Sequence, residues 1–475
     1  MSIRHARWFL LMKAVIWRAL MAVGMKLHHF ADPKPPSPSF KIVIPSRLSD
    51  SPGTFKLVLY VPEGYLDEDS DYRWPVVINF HGGGFTLGTG TDDARWAAAI
   101  VEKTDAVLVS VEYRLAPEYP FSVGVEDGTD ALIYIASHAE ELRLDPQRIA
   151  LSGFSAGGNY ALTVPLMLHD LQNNNGRRSL TNIPSRTIYG NSSTYGQSNS
   201  SLGLPRPDIV RTASNNSSTI KLTDLEPTEL EINQKVPDLK LLAIIAFYPP
   251  TDFRISRAEK RVTNPVPEKN LPPTLTTLFD DAYLHPHGSI DFTDPYLSPA
   301  AASDALLEAA YPQDIVLYTC EYDMLNAEGV AFGERLSGPT INKTVKGGLI
   351  KQVPHAFDRK PNPIAFPKAA DRCYSEACAE LLRVFGGRTS IEERTQLDKS
   401  AKVERFDEAD RDPAHRYSYD HDDEQLVSAD GPGEASNAPQ SSIAKGKMKM
   451  GLGLGLGKGK DKGTGQVPND VSALV

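Results

Sequence analysis

The chain has 475 residues and a formal net charge of −10, from 50 Lys and Arg against 60 Asp and Glu. An acidic balance argues against nucleic-acid binding along the whole chain, because that function leaves a basic footprint. Three cysteines exclude a disulfide scaffold and a cysteine-rich zinc module. Apolar residues make up 41% of the chain, below the usual ~45–50%, which indicates that part of it is not core.

The first predicted element is an amphipathic helix over the apolar stretch 8–24. At about 100° per residue, eight of its side chains share one charge-free arc: Trp8, Leu11, Met12, Val15, Ile16, Ala19, Ala22 and Val23. Lys13 and Arg18 interrupt the stretch, and each charge near a bilayer centre costs about 2.5–3.5 kcal/mol, which disfavours a spanning helix. We expect residues 1–39 to form an arm whose arc covers an apolar surface, with a membrane anchor as the alternative.

From residue 40 to residue 385, short β-branched runs alternate with helical stretches. The predicted strands are 55–61, 76–80, 106–111, 149–151, 241–247 and 315–318, and the predicted helices are 127–139, 156–170 and 368–384. This alternation is typical of a mostly parallel sheet with helices on both faces. We therefore predict one large α/β domain over 40–385.

Two segments have a different composition. Residues 172–236 are rich in Asn, Ser, Thr and Gly, and we predict a disordered insertion because such a segment buries little apolar surface. Residues 386–475 combine mixed charges with a Gly- and Lys-rich run, and we predict a disordered, solvated tail. The Gly-rich run lacks the spacing of a phosphate-binding loop.

The segment GFSAG at residues 153–157 matches Gly-x-Ser-x-Gly, with an apolar strand before it and a helical stretch after it. A serine at a sharp strand-to-helix turn needs small neighbours, because the backbone there is strained and tightly turned. A glycine-rich connecting loop is the structural alternative. The flanking strand and helix favour Ser155 as a nucleophile.

The segment HGGGF at residues 81–85 directly follows the predicted strand 76–80. Attack on an acyl carbonyl creates an oxyanion, which preorganised backbone N–H donors stabilise. Glycines let the backbone approach a substrate closely. We expect this loop, with His81 and Gly84 as supporting residues, to supply such donors together with the N–H of Ala156. A glycine-rich turn is the alternative.

A serine nucleophile needs a base, and among eleven histidines we select His355, in a loop before the C-terminal helix. The base needs an acid to fix its tautomer. Asp323 and Glu321 follow the predicted strand 315–318, at the carboxyl edge where α/β sites form, whereas Asp314 precedes it. We select Asp323, with Glu321 as the second candidate.

Several motifs occur in one order along the chain: HGGGF, EYRLAPEYPF (112–121), GFSAGGN, DPYLSP, YDML and PHAF. Together they resemble the hormone-sensitive-lipase-like family of α/β-hydrolases, over roughly residues 40–385. The order Ser155, Asp323, His355 is also the one expected of α/β-hydrolases. The resemblance implies an eight-stranded sheet, a helical cap over about 252–310, and ester hydrolysis without a metal or organic cofactor.

The resemblance also implies roles for individual residues. The family's functional positions fall on the nucleophile Ser155, the acid Asp323, the base His355 and the oxyanion donors Gly82, Gly83 and Ala156. Glu112, Arg114 and Glu118 would form structural pairs that hold the glycine loop. Phe154 stands where many members carry Asp, a departure that concerns the substrate preference and not the reaction. Since N-terminal segments of related hydrolases form part of the cap, the apolar arc would roof the acyl pocket.

We therefore expect a serine carboxylic ester hydrolase, esterase-like or lipase-like, that acts on a small-molecule ester. An amidase or formamidase with the same triad is one alternative. A non-catalytic ligand-binding receptor on the same scaffold is another, and the three filled triad positions disfavour it. We expect a cytoplasmic location; peripheral membrane association through the N-terminal helix is the alternative.

Overall fold

The computed structural model describes residues 6–65, 72–173, 236–286, 288–360 and 362–386. The predicted insertion over 172–236 and the predicted tail over 386–475 lie almost wholly outside these ranges. Both therefore stay predictions, as do the domain boundaries drawn from them.

Within the described residues, eight strands form one sheet. Their bounds are β1 Phe40–Pro45, β2 Thr54–Tyr60, β3 Trp74–Phe80, β4 Val107–Glu112, β5 Leu144–Phe154, β6 Leu241–Phe247, β7 Asp314–Tyr322 and β8 Thr344–Pro354. The strand order is β1-β2-β4-β3-β5-β6-β7-β8. β2 pairs antiparallel with β1 and β4, and every other neighbouring pair is parallel. The predicted mostly parallel eight-stranded sheet is confirmed.

The described part of the chain also contains nine α-helices. Their bounds are α1 Arg7–His28, α2 Ala94–Thr104, α3 Val123–Ser137, α4 Ala156–Asn173, α5 Arg257–Val262, α6 Pro273–Tyr283, α7 Asp304–Ala310, α8 Asn326–Ser337 and α9 Lys368–Phe385. The predicted helices 127–139, 156–170 and 368–384 correspond to α3, α4 and α9. The sequence reading missed α2 and did not delimit α5 to α8.

Helices cover both faces of the sheet because its central strands are apolar on both sides. Along β3, Val76 and Ile78 join a core with α3, α4 and α8, whereas Val77 joins a second core with α2 and α9. β3 is buried along its whole length. Consecutive strand residues point to opposite faces, so an uninterrupted β-branched run fills two cores at once.

Helix α6 lies within the predicted cap segment and packs against α1. The two helices share a small apolar cluster with Leu87, two residues after the glycine loop; its members are Met21, Met25, Leu87, Leu275 and Phe279. We call α1 and α6 together the roof. That residues 252–310 form a cap stays a prediction.

The apolar arc of α1 faces the solvent, so the prediction that it covers the pocket is wrong. All eight residues of the arc are exposed, while Leu10, Ala14, Met21 and Met25 on the other side are buried. A polar interaction sets this orientation. Arg18 donates to both carboxylate oxygens of Glu118, at 2.7 and 2.8 Å, and so holds the Arg18 side of the helix against the protein.

Among the described residues, α1 is the one helix long and apolar enough to cross a membrane. Length and composition alone are weak evidence for a membrane-spanning helix, since a core helix of a soluble protein or a signal sequence can be equally long and apolar.

A buried ion pair joins α5 to α8. Lys260 Nζ lies 2.5 Å from Glu328 Oε2, and both side chains are almost fully buried. Burial lowers the pKa of Lys260 and raises the pKa of Glu328, against the attraction between the two charges. Glu328 Oε1 also accepts a hydrogen bond from the N–H of Thr251 at 2.9 Å.

We expect Lys260→Met to lower the free energy of unfolding by about 3–5 kcal/mol, because it leaves the buried carboxylate of Glu328 without its positive partner. The double variant Lys260→Met/Glu328→Gln removes both charges and keeps an oxygen for Thr251, so it should recover most of that loss. Urea unfolding of both variants measures the difference. A Lys260→Met protein as stable as the wild type would show that the pair contributes nothing.

Candidate active site

Ser155 lies at the turn between β5 and α4, with a φ of +52°. Such a backbone conformation is strained for a non-glycine residue and is found at functional sites. The neighbours must be glycines: a Cβ on Gly153 would lie 2.1 Å from the Gly157 oxygen, and one on Gly157 would lie 1.9 Å from the Phe80 oxygen. Both glycines of GFSAG are therefore needed for this turn to form.

A chain of two hydrogen bonds joins Ser155, His355 and Asp323. Ser155 Oγ lies 2.8 Å from His355 Nε2, and His355 Nδ1 lies 2.6 Å from Asp323 Oδ2. The other carboxylate oxygen, Oδ1, accepts the N–H of Leu325 at 3.0 Å. Asp323 directly follows β7 and His355 directly follows β8, so the carboxyl edge of the sheet brings together all three residues selected from the sequence.

Glu321, the second candidate acid, lies at the same sheet edge but bonds to another residue. Glu321 Oε2 accepts the backbone N–H of Gln352 at 2.6 Å, which ties β7 to β8. No contact between Glu321 and His355 occurs among the described hydrogen bonds. Of the two carboxylates considered, only that of Asp323 bonds to the imidazole.

Tyr248 packs against the imidazole and was missed by the sequence analysis. Its ring lies edge-on to His355, with the centroids 4.9 Å apart, and its hydroxyl donates to Asp358 Oδ1 at 2.5 Å. Burial raises the pKa of Tyr248 well above its ordinary value, so the hydroxyl keeps its proton. This contact confines the imidazole on a side that the triad residues do not touch.

The glycine loop lies directly against the serine. A Cβ on Gly82 would be 3.1 Å from the Phe154 oxygen and 3.7 Å from Ser155 Cβ. Gly83 has a φ of +119°, and a Cβ there would lie 2.3 Å from the Leu87 oxygen. The turn at Gly83 requires glycine, and a side chain at Gly82 would crowd the serine. The backbone of this loop is thus close enough to act on a group bound at Ser155.

His81 supports the loop from within the protein. Its ring is fully buried and stacks on Tyr113, with the centroids 4.3 Å apart. The Tyr113 hydroxyl donates to the His81 oxygen at 2.7 Å. The other supporting residue predicted, Gly84, faces the ring of Phe279, which a Cβ there would meet at 2.2 Å.

The charged residues of EYRLAPE form ion pairs, as the resemblance implied, but of these described pairs only that of Glu118 is linked to the glycine loop, through the Arg18 bond to the Thr86 oxygen. Glu112 pairs with Lys56 and Arg114 with the fully buried Asp127, both away from the loop, whereas Glu118 pairs with Arg18. The same segment also holds the loop directly, through uncharged groups. They are the Tyr113 hydroxyl and the N–H of Ala116, which donates to the Phe85 oxygen at 2.9 Å.

Ser155 and His355 line a cleft with about 510 Å³ of empty space, part of it open to the solvent. The glycine loop forms part of its wall. The roof and the segment before it contribute apolar side chains, namely Met21, Leu271, Leu275 and Phe279. An apolar cleft beside a nucleophile can bury an acyl chain, because removing such a chain from water is favourable.

Arg359 also lines the cleft and was not foreseen. Its guanidinium lies 4.1 Å above the ring of Phe154, and it pairs with the carboxylates of Asp93 and Asp358. Burial lowers the pKa of Arg359, but the two carboxylates more than offset this and hold it well above its ordinary value. Phe154 thus gives the guanidinium a flat apolar surface, which explains an aromatic residue at this position.

The described residues contain no group of three or more His, Cys, Asp or Glu side chains arranged to hold a metal ion.

Comparison with known proteins places the chain in a family. A family model described as an alpha/beta hydrolase fold matches residues 77–210 and 228–359, which is more than half of the chain. Rat neutral cholesterol ester hydrolase 1 is 28% identical over 293 residues, covering 60% of this chain and 67% of that protein.

Other relatives match over shorter regions. An AB hydrolase superfamily protein of Schizosaccharomyces pombe is 38% identical over 120 residues, which is 25% of this chain and 34% of that protein. A Mycobacterium tuberculosis carboxylesterase is 42% identical over 97 residues, 20% of this chain and 30% of that protein. The match thus spans about a third of the length of these two proteins.

Solved structures share the fold. An esterase of Pyrobaculum calidifontis superposes with a TM-score of 0.53 at 22% sequence identity, covering 78% of this chain and 92% of that one. At this identity the likeness concerns the fold alone. Together with the matched family model and the motif order, it shows that the chain belongs to the hormone-sensitive-lipase-like family of α/β-hydrolases.

Proposed function

We propose that the protein is a serine hydrolase of carboxylic esters. The observation that carries this proposal is the hydrogen-bonded series Ser155, His355, Asp323, which opens into an apolar cleft beside a glycine loop. The names of the relatives, a carboxylesterase and a cholesterol ester hydrolase among them, support the same reaction class.

In the proposed reaction, Ser155 Oγ attacks the ester carbonyl while His355 Nε2 takes the hydroxyl proton. The Asp323 carboxylate holds the Nδ1 proton and stabilises the imidazolium. The imidazolium then protonates the leaving alcohol, which leaves an acyl group on Ser155. Water attacks the acyl-enzyme with His355 again as the base, and the carboxylic acid and free serine result.

The oxyanion of each tetrahedral intermediate needs donors that are in place beforehand. We assign this role to the N–H groups of Gly82, Gly83 and Ala156. The position of Gly82 against Ser155 supports the assignment, as does the place of Ala156 at the first turn of α4, where backbone N–H groups have no partner within the helix.

The expected substrate is a neutral ester with an apolar acyl chain. The cleft is lined by apolar roof side chains, and Arg359, the one Lys or Arg among its described lining residues, lies beside two carboxylates whose combined charge exceeds its own. A negatively charged acyl chain would therefore lose its hydration and meet a net negative charge at this end of the cleft.

Covalent labelling tests the nucleophile. A fluorophosphonate probe should modify the wild-type protein at Ser155, as read by peptide mass spectrometry, and should not modify Ser155→Ala. The triad activates that hydroxyl alone, since a serine at its free pKa is a weak nucleophile. Wild-type protein that resists the probe and cleaves no p-nitrophenyl ester would instead support a binding protein on this scaffold.

The ester assignment needs a second measurement, because an amidase would take the same probe. Turnover of p-nitrophenyl acetate should exceed turnover of p-nitroacetanilide, and both should disappear in Ser155→Ala. Faster cleavage of the anilide would favour the amidase alternative.

A further inference from the structure

The outer face of α1 is an uncovered apolar surface. We define it as the charge-free arc together with Leu20 and Leu27, which are also exposed. Trp8, Ile16 and Val23 are each more than half exposed to solvent. Soluble monomers seldom expose contiguous apolar surface on this scale, and where they do it marks an interaction site.

The charges around this face are basic although the protein as a whole is acidic. Residues 1–39 contain six Lys and Arg and one acidic residue, in a chain of net charge −10, and two of the six, Arg7 and Arg18, bond to Glu118 instead of bordering this face. Lys13 stacks on Phe9 near one end of the helix, and Lys34 stacks on Phe30 beyond the other. An apolar face bordered by lysines and aromatic rings has the composition of a helix that lies in a lipid interface.

The inner side of α1 is committed to the protein. Besides its bonds to Glu118, Arg18 donates to the backbone oxygens of Thr86 and Ala116 at 2.9 and 2.8 Å. Thr86 in turn donates to the Gly84 oxygen of the glycine loop at 3.1 Å. A helix that crosses a bilayer would have to give up these bonds, so the docked helix can lie on a membrane and cannot span it.

The same helix reaches the cleft. Met21, on the inner side, lines the cleft that holds Ser155, while Val23 projects outward. The cleft and the outer face are therefore separated by about one helix diameter, ~10 Å.

We propose that the outer face of α1 lies in the headgroup region of a bilayer that contains anionic lipids, and that the cleft takes its ester from that bilayer. Delivery of the ester from the bilayer rests on the proposed function, whereas binding of the outer face to the bilayer does not. The lipid is the occupant that the basic border favours, because anionic headgroups attract lysines near the surface. A second copy of this chain would bring two basic borders together and is disfavoured for that reason.

Vesicle sedimentation of the full chain tests the surface. The variant Ile16→Asp/Val23→Asp changes two exposed residues of the outer face. The matched control Val262→Asp/Ile364→Asp changes two exposed apolar residues elsewhere, 82% and 87% exposed. With phosphatidylcholine vesicles containing phosphatidylserine, the outer-face variant should partition at least about tenfold less than wild type, and the control should match wild type. Added salt should weaken wild-type binding.

Equal binding by both double variants, or no wild-type binding, would overturn the proposal. So would a wild-type dimer that only Ile16→Asp/Val23→Asp dissociates in size-exclusion chromatography, since a second copy would then cover the face. Ser155→Ala should bind vesicles as wild type does, which separates this result from the proposed function. For delivery, the outer-face variant should lose activity on a vesicle-embedded ester and keep activity on dissolved p-nitrophenyl acetate; equal rates on both would refute delivery.

Discussion

Ser155→Ala is expected to lower kcat for p-nitrophenyl acetate by about 10⁶-fold, the loss typical of removing the nucleophile from such a triad. The hydroxyl is the atom that forms the acyl-enzyme, and its described side-chain hydrogen bond is the one to His355 Nε2. The fold should remain intact, because alanine fits the same turn and leaves Gly153 and Gly157 unchanged. Initial rates and melting temperature of the variant measure both expectations.

Two further variants sharpen this prediction. His355→Ala should cost about as much as Ser155→Ala, and the double variant hardly more, since residues that act as a unit are not additive. His138→Ala is the matched control: this histidine ends α3, where its Nδ1 lies 2.9 Å from the Tyr134 oxygen, and activity should be retained. Additive losses in the double variant would mean that Ser155 and His355 do not act together.

The sheet edge made the triad predictable. Ser155, Asp323 and His355 each follow a strand, and the parallel strands β5, β7 and β8 end at one edge. A residue just after any of these strands therefore had to lie near the others, whatever the connecting segments did. Local sequence patterns were sufficient for this inference.

The contacts that support the site could not be predicted in the same way. The Tyr113 hydroxyl donates to the His81 oxygen, and Arg359 pairs with Asp93, which lies 266 positions earlier in the sequence. Nothing in the local pattern around either residue marks these partners, because tertiary packing alone brings them together. The charged residues of EYRLAPE were the more visible candidates, yet Glu112 and Arg114 pair away from the loop.

The orientation of α1 shows a different limit. Apolar residues occur on most sides of this helix, so the hydrophobic periodicity alone does not determine which of two faces is buried. The arc without charges was the obvious choice, but the guanidinium of Arg18 has acceptors on the protein and draws its own side inward. A charged residue decided which apolar face was left outside.

Asp323→Asn is expected to lower kcat by about 10⁴-fold while leaving the fold in place. The asparagine oxygen can keep the hydrogen bond from the Leu325 N–H, which places the side-chain NH2 against His355 Nδ1. Nδ1 must then accept, so the imidazole proton moves to Nε2. In that tautomer, Nε2 cannot take the proton of Ser155.

Glu321→Gln is the matched control for Asp323→Asn, because Glu321 was the second candidate acid and lies two residues earlier. Its oxygen accepts the N–H of Gln352, and the glutamine oxygen can do the same, so kcat should stay close to wild type. Parallel kcat measurements on the two amide variants decide between the carboxylates. If Glu321→Gln lost more activity than Asp323→Asn, the acid would be Glu321, and the hydrogen bond between Asp323 and His355 would serve the fold instead of the reaction.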